Sequence, residues 1–139
     1  MKTQEYLQQA IRFERMAKNK LQEIERYRDM VASVTVAPKT DVIQSSGDKD
    51  KLGSMVAKII DLEAEIENII DVRERIIRQI ESMKNPDIYQ VLYGKYINGE
   101  SLNEVGRLIH CSKTQIYRLH DRAIEDFEKK YGKYYLDVS

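Results

Sequence analysis

Two long stripes of apolar residues at helical spacing constrain this 139-residue chain more than any other feature. After Asp50, apolar side chains fill nine of ten positions on one stripe: Leu52, Met55, Ile59, Leu62, Ile66, Ile69, Arg73, Ile76, Ile80 and Met83. An earlier stripe is apolar at eight of ten positions: Thr3, Tyr6, Ala10, Phe13, Ala17, Lys20, Ile24, Tyr27, Val31 and Val34. Such repeats are typical of bundle or coiled-coil helices. Val56, Ile70 and Ile77 widen the second stripe, so this helix is expected to contact more than one partner helix.

The two stripes predict an antiparallel, coiled-coil-like helical hairpin, because a loop-like segment separates them. Residues 35–50 contain Pro38, the cluster Ser45-Ser46-Gly47 and mixed charges, which interrupt a helical pattern. Residues 12–28 contain six bases and three acids, whereas residues 61–74 contain six acids, so the charges favour pairing of one helix with the other. We expect residues 1–84 to form this hairpin, which would dimerise the protein or dock a partner such as RNA polymerase.

The composition excludes several classes of protein. There is no run of about 20 apolar residues, so no membrane span or membrane partner is expected. The charged N-terminus lacks the apolar core of a signal peptide, which predicts a cytoplasmic protein. Cys111 is the single cysteine, so an intramolecular disulfide and a CxxC-type metal site are excluded. No catalytic constellation or Gly-rich phosphate loop is present, so we expect neither an enzyme nor a bound metal or cofactor.

Residues 85–139 predict three shorter helices, which makes the whole chain all-α. The first begins at Pro86 and ends near Gly99, which supplies a left-handed cap. The second and third begin with capping-box sequences, Ser101–Glu104 and Ser112–Gln115.

The tight connection between the last two helices predicts a helix-turn-helix. Gly106 is small enough to stand where two helices cross, and His110 occupies a turn position that needs a left-handed backbone, which His tolerates better than most residues. Apolar residues stand at the five positions that such a motif must bury: Val105, Ile109, Cys111, Ile116 and Leu119. An ordinary three-helix packing unit that does not bind nucleic acid is the alternative.

The same assignment of faces places polar side chains on the outside of the third helix, namely Lys113, Thr114, Tyr117, Arg118 and Asp121. The first two turns of this helix enter the major groove in helix-turn-helix proteins. Arg118 is suited to a guanine edge and Thr114 to a thymine methyl group. Three bases suit phosphates: Arg107, Lys113 and Arg122. Residues 107–122 contain four bases and one acid, so a neutral chain carries a small basic patch here.

The stretch VLYGKYINGESLNEVGRLIHCSKTQIYRLHDRAIEDFEKKY, residues 91–131, resembles region 4 of bacterial sigma factors. That family reads the promoter −35 element with its recognition helix. The resemblance implies base contacts from three residues, Lys113, Thr114 and Arg118. It implies contacts to the DNA backbone from two more, Gln115 and Tyr117. The sequence has no counterpart of sigma regions 2 and 3, so promoter opening by this chain alone is not expected.

The chain as a whole is similar to small phage and prophage proteins with a region-4-like helix-turn-helix, related to ArpU-type late-gene regulators. The first helix, the segment QSSGDKDKLGSMVAKIIDLEAEI and the terminal motif carry this likeness. It implies a transcription regulator that binds double-stranded DNA through residues 112–122. Two alternatives are an adaptor that binds RNA polymerase or another host protein through the hairpin, and a small terminase subunit for DNA packaging.

Overall fold

The computed structural model describes residues 1–36 and 46–137, and these residues are helical with no β-strand. The helices are α1 Thr3–Val36, α2 Ser46–Glu81, α3 Pro86–Tyr96, α4 Leu102–Leu108 and α5 Lys113–Tyr131, followed by a 3-10 turn, Gly132–Tyr134. The all-α prediction is therefore confirmed. The chain divides into two compact units, one of Met1–Glu14 with Asp71–Ser139 and one of Arg15–Ile70. The domain boundary expected at residue 84 stays a prediction.

The ends of the two long helices differ from the prediction. α1 continues to Val36, and α2 begins at Ser46 rather than at Asp50, so the predicted loop is helical at both edges. Ser and Asp are favoured at helix starts, which is why residues that disrupt a helix interior can also begin one. The centre of that predicted loop, residues 37–45, lies outside the described residues.

α2 ends at Glu81, two residues before Met83, the last position of the predicted stripe. The Ser82 hydroxyl donates to the Gln79 carbonyl oxygen at 2.6 Å. The Ser82 N–H still donates to the Arg78 carbonyl oxygen at 3.1 Å, and the Met83 N–H then donates to the Ile80 carbonyl oxygen at 3.1 Å, a tighter bond of the kind that closes helix ends.

The predicted apolar stripes coincide with the covered faces of both long helices. All ten residues of the second stripe, of which Met83 lies just beyond α2, and nine of the ten of the first are buried or half-buried, Val34 being the exposed exception. Lys20 is half-buried on the α1 stripe, and its Nζ lies 2.7 Å from a Glu65 carboxylate oxygen. Its stem can thus cover apolar surface while its charge is paired.

The first unit has a dense core to which all five helices contribute. Its fully buried side chains include Leu7, Ile76, Ile80, Leu92, Val105, Ile116 and Phe127. The rings of Tyr6 and Tyr135 stack with centroids 4.2 Å apart, which fixes the end of the chain against α1. The Tyr6 hydroxyl donates to Gln79 Oε1 at 2.6 Å, and the Tyr135 and Thr3 hydroxyls lie 2.8 Å apart. Burial raises the pKa of both tyrosines, so both hydroxyls stay protonated near pH 7.

The second unit has a much smaller core, formed by α1 and α2 side by side. Ile24, Leu62 and Ile66 are buried, with Ala17, Tyr27 and Ile59 packed against them. Salt bridges Lys20–Glu65 and Arg28–Glu63, at 2.7 and 2.9 Å, flank this core.

The short helices begin and end close to the predicted residues. Asn85 Oδ1 accepts a hydrogen bond from the Asp87 N–H at 2.9 Å, which caps α3. Gly99 has φ +74°, the left-handed conformation expected after that helix. Ser101 Oγ accepts from the Glu104 N–H at 3.1 Å, which provides one of the two bonds of the predicted box at α4.

Candidate nucleic-acid interface

A connection of four residues, Ile109 to Ser112, joins α4 to α5. His110 has φ +60°, so the predicted left-handed residue of this turn is confirmed. The turn is closed by the Cys111 N–H, which donates to the Gly106 carbonyl oxygen at 2.8 Å. Because His has a Cβ, this conformation costs more here than it would for glycine.

Gly106 lies where α4 approaches α5 most closely. A Cβ added at this position would lie 3.3 Å from the Cys111 carbonyl oxygen and 3.3 Å from Ile116 Cβ. Ile116 is fully buried and Val105 nearly so, which places both side chains in the core of this helix pair. A residue larger than glycine would therefore separate the two helices or displace the turn.

α5 begins with a complete capping box. Ser112 Oγ accepts from the Gln115 N–H at 3.2 Å, and Gln115 Oε1 accepts from the Ser112 N–H at 2.8 Å. Two amides at the start of the helix are thereby satisfied. The Gln115 side chain, a candidate for a contact with the DNA backbone, is consequently held at the cap.

All seven candidate DNA-contacting residues are exposed, namely Arg107, Lys113, Thr114, Gln115, Tyr117, Arg118 and Arg122. Of the residues expected to face inward, Ile116 and Ala123 are fully buried and Leu119 is half-buried. Arg107 and Lys113 line one groove between α4 and α5.

The charge of this surface is positive although the chain is neutral. Residues 107–122 contain four bases against Asp121 alone, and the amino end of α5 adds the partial positive charge of a helix terminus. Arg122 is the least available of these bases, because its Nε lies 3.8 Å from the Asp126 carboxylate.

A buried polar pair behind this surface was not predicted from the sequence. The Tyr96 hydroxyl on α3 lies 2.7 Å from Nε2 of His120 on α5, and both residues are buried. Burial, followed by the charge of Lys95, lowers the pKa of His120, and burial raises the pKa of Tyr96. Both groups are therefore neutral near pH 7, and their hydrogen bond ties α5 to α3. The signal was present in the sequence, because His120 falls on the inner face between Ile116 and Ala123.

Within residues 1–36 and 46–137, no group of three or more His, Cys, Asp or Glu side chains is placed to hold a metal ion. None of the helices in these ranges has the length and apolar character needed to cross a membrane. Cys111, in the turn, is a half-buried free thiol.

Fold and surface together define an all-helical protein in which a short capped turn exposes a basic helix face. The chain belongs to the family described as "Protein of unknown function (DUF1492)", which matches residues 32–128. The matched range contains all of α2, α3 and α4 and most of α5. No curated protein and no solved structure matches the sequence.

Proposed function

We propose that this protein is a phage or prophage transcription regulator that binds double-stranded DNA through a helix-turn-helix, with α5 as its recognition helix. The observation that carries the proposal is the connection between α4 and α5. It combines a left-handed residue at His110, a glycine at the crossing and a complete capping box at Ser112. Those features leave the first two turns of α5 exposed, where this motif enters the major groove.

The chemistry of the exposed side chains supports recognition of DNA over recognition of a protein. Arg118 can make two parallel hydrogen bonds to the O6 and N7 atoms of guanine, and Thr114 can contact a thymine methyl group. Arg107 and Lys113, which line one groove between α4 and α5, are suited to phosphates beside the recognition helix. Non-specific affinity for DNA comes mostly from basic side chains that neutralise phosphates. Because the whole chain has no net charge, this affinity is expected to be modest.

We further propose that the two long helices form an antiparallel hairpin whose role is assembly or docking. The two salt bridges support an antiparallel arrangement. The base on α1 advances along the chain from Lys20 to Arg28, while its acidic partner on α2 goes back from Glu65 to Glu63. A regulator with one recognition helix per chain gains affinity from a second copy, since two half-sites are then contacted together.

A binding experiment on the full chain tests the proposal. Selection from a random duplex library yields a preferred DNA, and fluorescence anisotropy then measures affinity between about 50 and 200 mM salt. We expect Arg118→Ala to weaken binding by about 10- to 100-fold and to relax the preference at one base pair. Lys113→Ala should weaken all sequences alike and reduce the salt slope by about one. Arg78→Ala, an exposed arginine on α2, is the matched control and should leave affinity unchanged.

Two results would refute recognition of the groove by α5: no salt-sensitive binding in this range, or an affinity that Arg118→Ala leaves unchanged. Capture of RNA polymerase without any affinity for DNA would support the adaptor alternative. A large ring-shaped oligomer would support a small terminase subunit.

A further inference from the structure

Exposed apolar side chains concentrate on the second unit, Arg15–Ile70. Among the residues that the structure describes, eleven large apolar side chains are exposed, and seven of them belong to this unit. Three of the seven lie on α2, where Val56, Ile60 and Ile70 are 42%, 59% and 39% exposed. Single exposed apolar residues are ordinary, but a concentration on one unit marks an interaction surface.

The three residues form a stripe of their own on α2, which we name the outer stripe. At 3.6 residues per turn, Val56, Ile60 and Ile70 fall within an arc of about 80°. The centre of that arc is about 100° from the face that carries Leu62 and Ile66. The inner face packs on α1, and among the described residues of this unit no element covers the outer stripe, whose side chains are 39–59% exposed. The second partner helix predicted from the width of the α2 stripe would lie here.

The second unit has little core of its own, which gives this surface a structural reason. Besides the buried cluster Ile24, Leu62 and Ile66, the buried apolar residue among the described residues of this unit is Met55. Each helix of a two-helix layer is covered on one face only, and stable domains place a further layer over such a face. A second pair of helices would convert this layer into a four-helix arrangement.

We infer that the outer stripe binds a second copy of this chain, with α2 of each copy packed on α1 of the other. Charge selects this occupant. Glu67 lies on the same arc as Ile60 and Ile70 and is exposed, whereas Glu63 on that arc is already paired with Arg28 of its own copy. The stripe therefore needs an apolar partner that also carries bases. In this unit α1 offers both, since residues 15–36 contain five bases and three acids, and Leu21 is 49% exposed.

Charge also selects the arrangement. A two-fold contact of α2 with α2 would place Glu67 of both copies near each other, and like charges so placed oppose association. A contact of α2 with the partner's α1 sets acids against bases, as the Lys20–Glu65 and Arg28–Glu63 pairs already do within one copy. Two-fold symmetry forms this contact twice in each dimer.

The pairing within one copy also fixes the level at which the copies meet. Because Lys20 binds Glu65, Leu21 lies at the level of residues 63–67 along the helix pair. A two-fold axis parallel to the helices leaves the position of each residue along the helix axis unchanged. Leu21 of one copy therefore faces Glu67 and its neighbours on the other copy.

The mass of the full chain in solution is the first test. Sedimentation velocity between about 1 and 100 µM should show a dimer. Ile60→Asp should raise the dimer dissociation constant at least about tenfold, because a charge replaces a side chain buried at the contact. Ile60 is 59% exposed in the single chain, so circular dichroism should report unchanged helix content. Leu108→Asp is the matched control, since Leu108 is 69% exposed on the first unit and should leave the mass unchanged.

Cross-linking then identifies the helices in contact. In a Cys111→Ser background, Leu21→Cys and Glu67→Cys proteins are prepared separately, mixed, allowed to exchange subunits and oxidised. We expect disulfide-linked dimers in the mixture and few with either protein alone. Efficient self-linking of Glu67→Cys would overturn the arrangement in favour of α2 on α2. A monomer at every concentration, or a dimer that Ile60→Asp leaves intact, would overturn the inference.

Discussion

Removing the Tyr96 hydroxyl should destabilise the protein although the ring that remains is more apolar. Tyr96→Phe leaves His120 Nε2 without its partner at 2.7 Å, in a site where the two residues are only 1% and 6% exposed. A neutral hydrogen bond contributes about 1 kcal/mol, but a buried group left unpaired costs about 1–3 kcal/mol. We therefore expect the free energy of unfolding to fall by about 1–3 kcal/mol, which for this size lowers Tm by roughly 3–10 °C.

Urea denaturation followed by circular dichroism measures this loss. Tyr117→Phe is the matched control, because Tyr117 is half exposed on α5 and its hydroxyl can bond to water in either state. The double variant Tyr96→Phe with His120→Leu separates the hydrogen bond from packing. It should lose less than the sum of the two single changes by about 1 kcal/mol, since no orphaned polar atom remains. A Tyr96→Phe protein within about 0.3 kcal/mol of the original would refute the reasoning, as would strict additivity in the double variant.

Three further outcomes follow from the turn and from the same histidine. Gly106→Val should lower the free energy of unfolding, measured in urea, by about 1–3 kcal/mol, because the new side chain crowds the Cys111 carbonyl and Ile116. Gly53→Ala is the contrasting variant: no atom lies within 4 Å of the added methyl group, so the free energy of unfolding should rise by about 0.5–1 kcal/mol. His110→Gly should raise stability by about 0.5–1 kcal/mol, and a lower Tm would contradict the left-handed backbone. Because burial lowers the pKa of His120, the unfolded chain binds its proton first, so stability should fall below about pH 6.5. The free energy of unfolding of the original protein should change with pH more steeply than that of the His120→Gln protein, by up to about 1.4 kcal/mol per pH unit.

Local chemistry made the start of α5 and the turn before it predictable. The Ser112–Gln115 box and the left-handed His110 depend on residues within four positions of each other, so the sequence contains everything that determines them. The stripes of α1 and α2 were readable for a similar reason, because a helical period is a local property.

Features that depend on tertiary contacts were not predictable in the same way. Tyr96 and His120 stand 24 residues apart, and their pairing requires the packing of α3 on α5. The α2 stripe continues past Ile70 without a change of period, although the cores on either side of that residue differ greatly in size. Periodicity reveals which face of a helix is covered but not how many other elements cover it.

The unequal cores of the two units should be visible in the exchange of backbone amides with deuterium. α1 and α2 each belong to both units. Thr3 to Glu14 of α1 and Asp71 to Glu81 of α2 belong to the unit with the dense core, and the remainder of each helix belongs to the unit with the small core. Amides in the dense unit should exchange only through nearly complete unfolding, whereas those of residues 15–36 and 46–70 should exchange through cheaper local openings. A second copy seated on the outer stripe would make the protection of those helix segments depend on protein concentration.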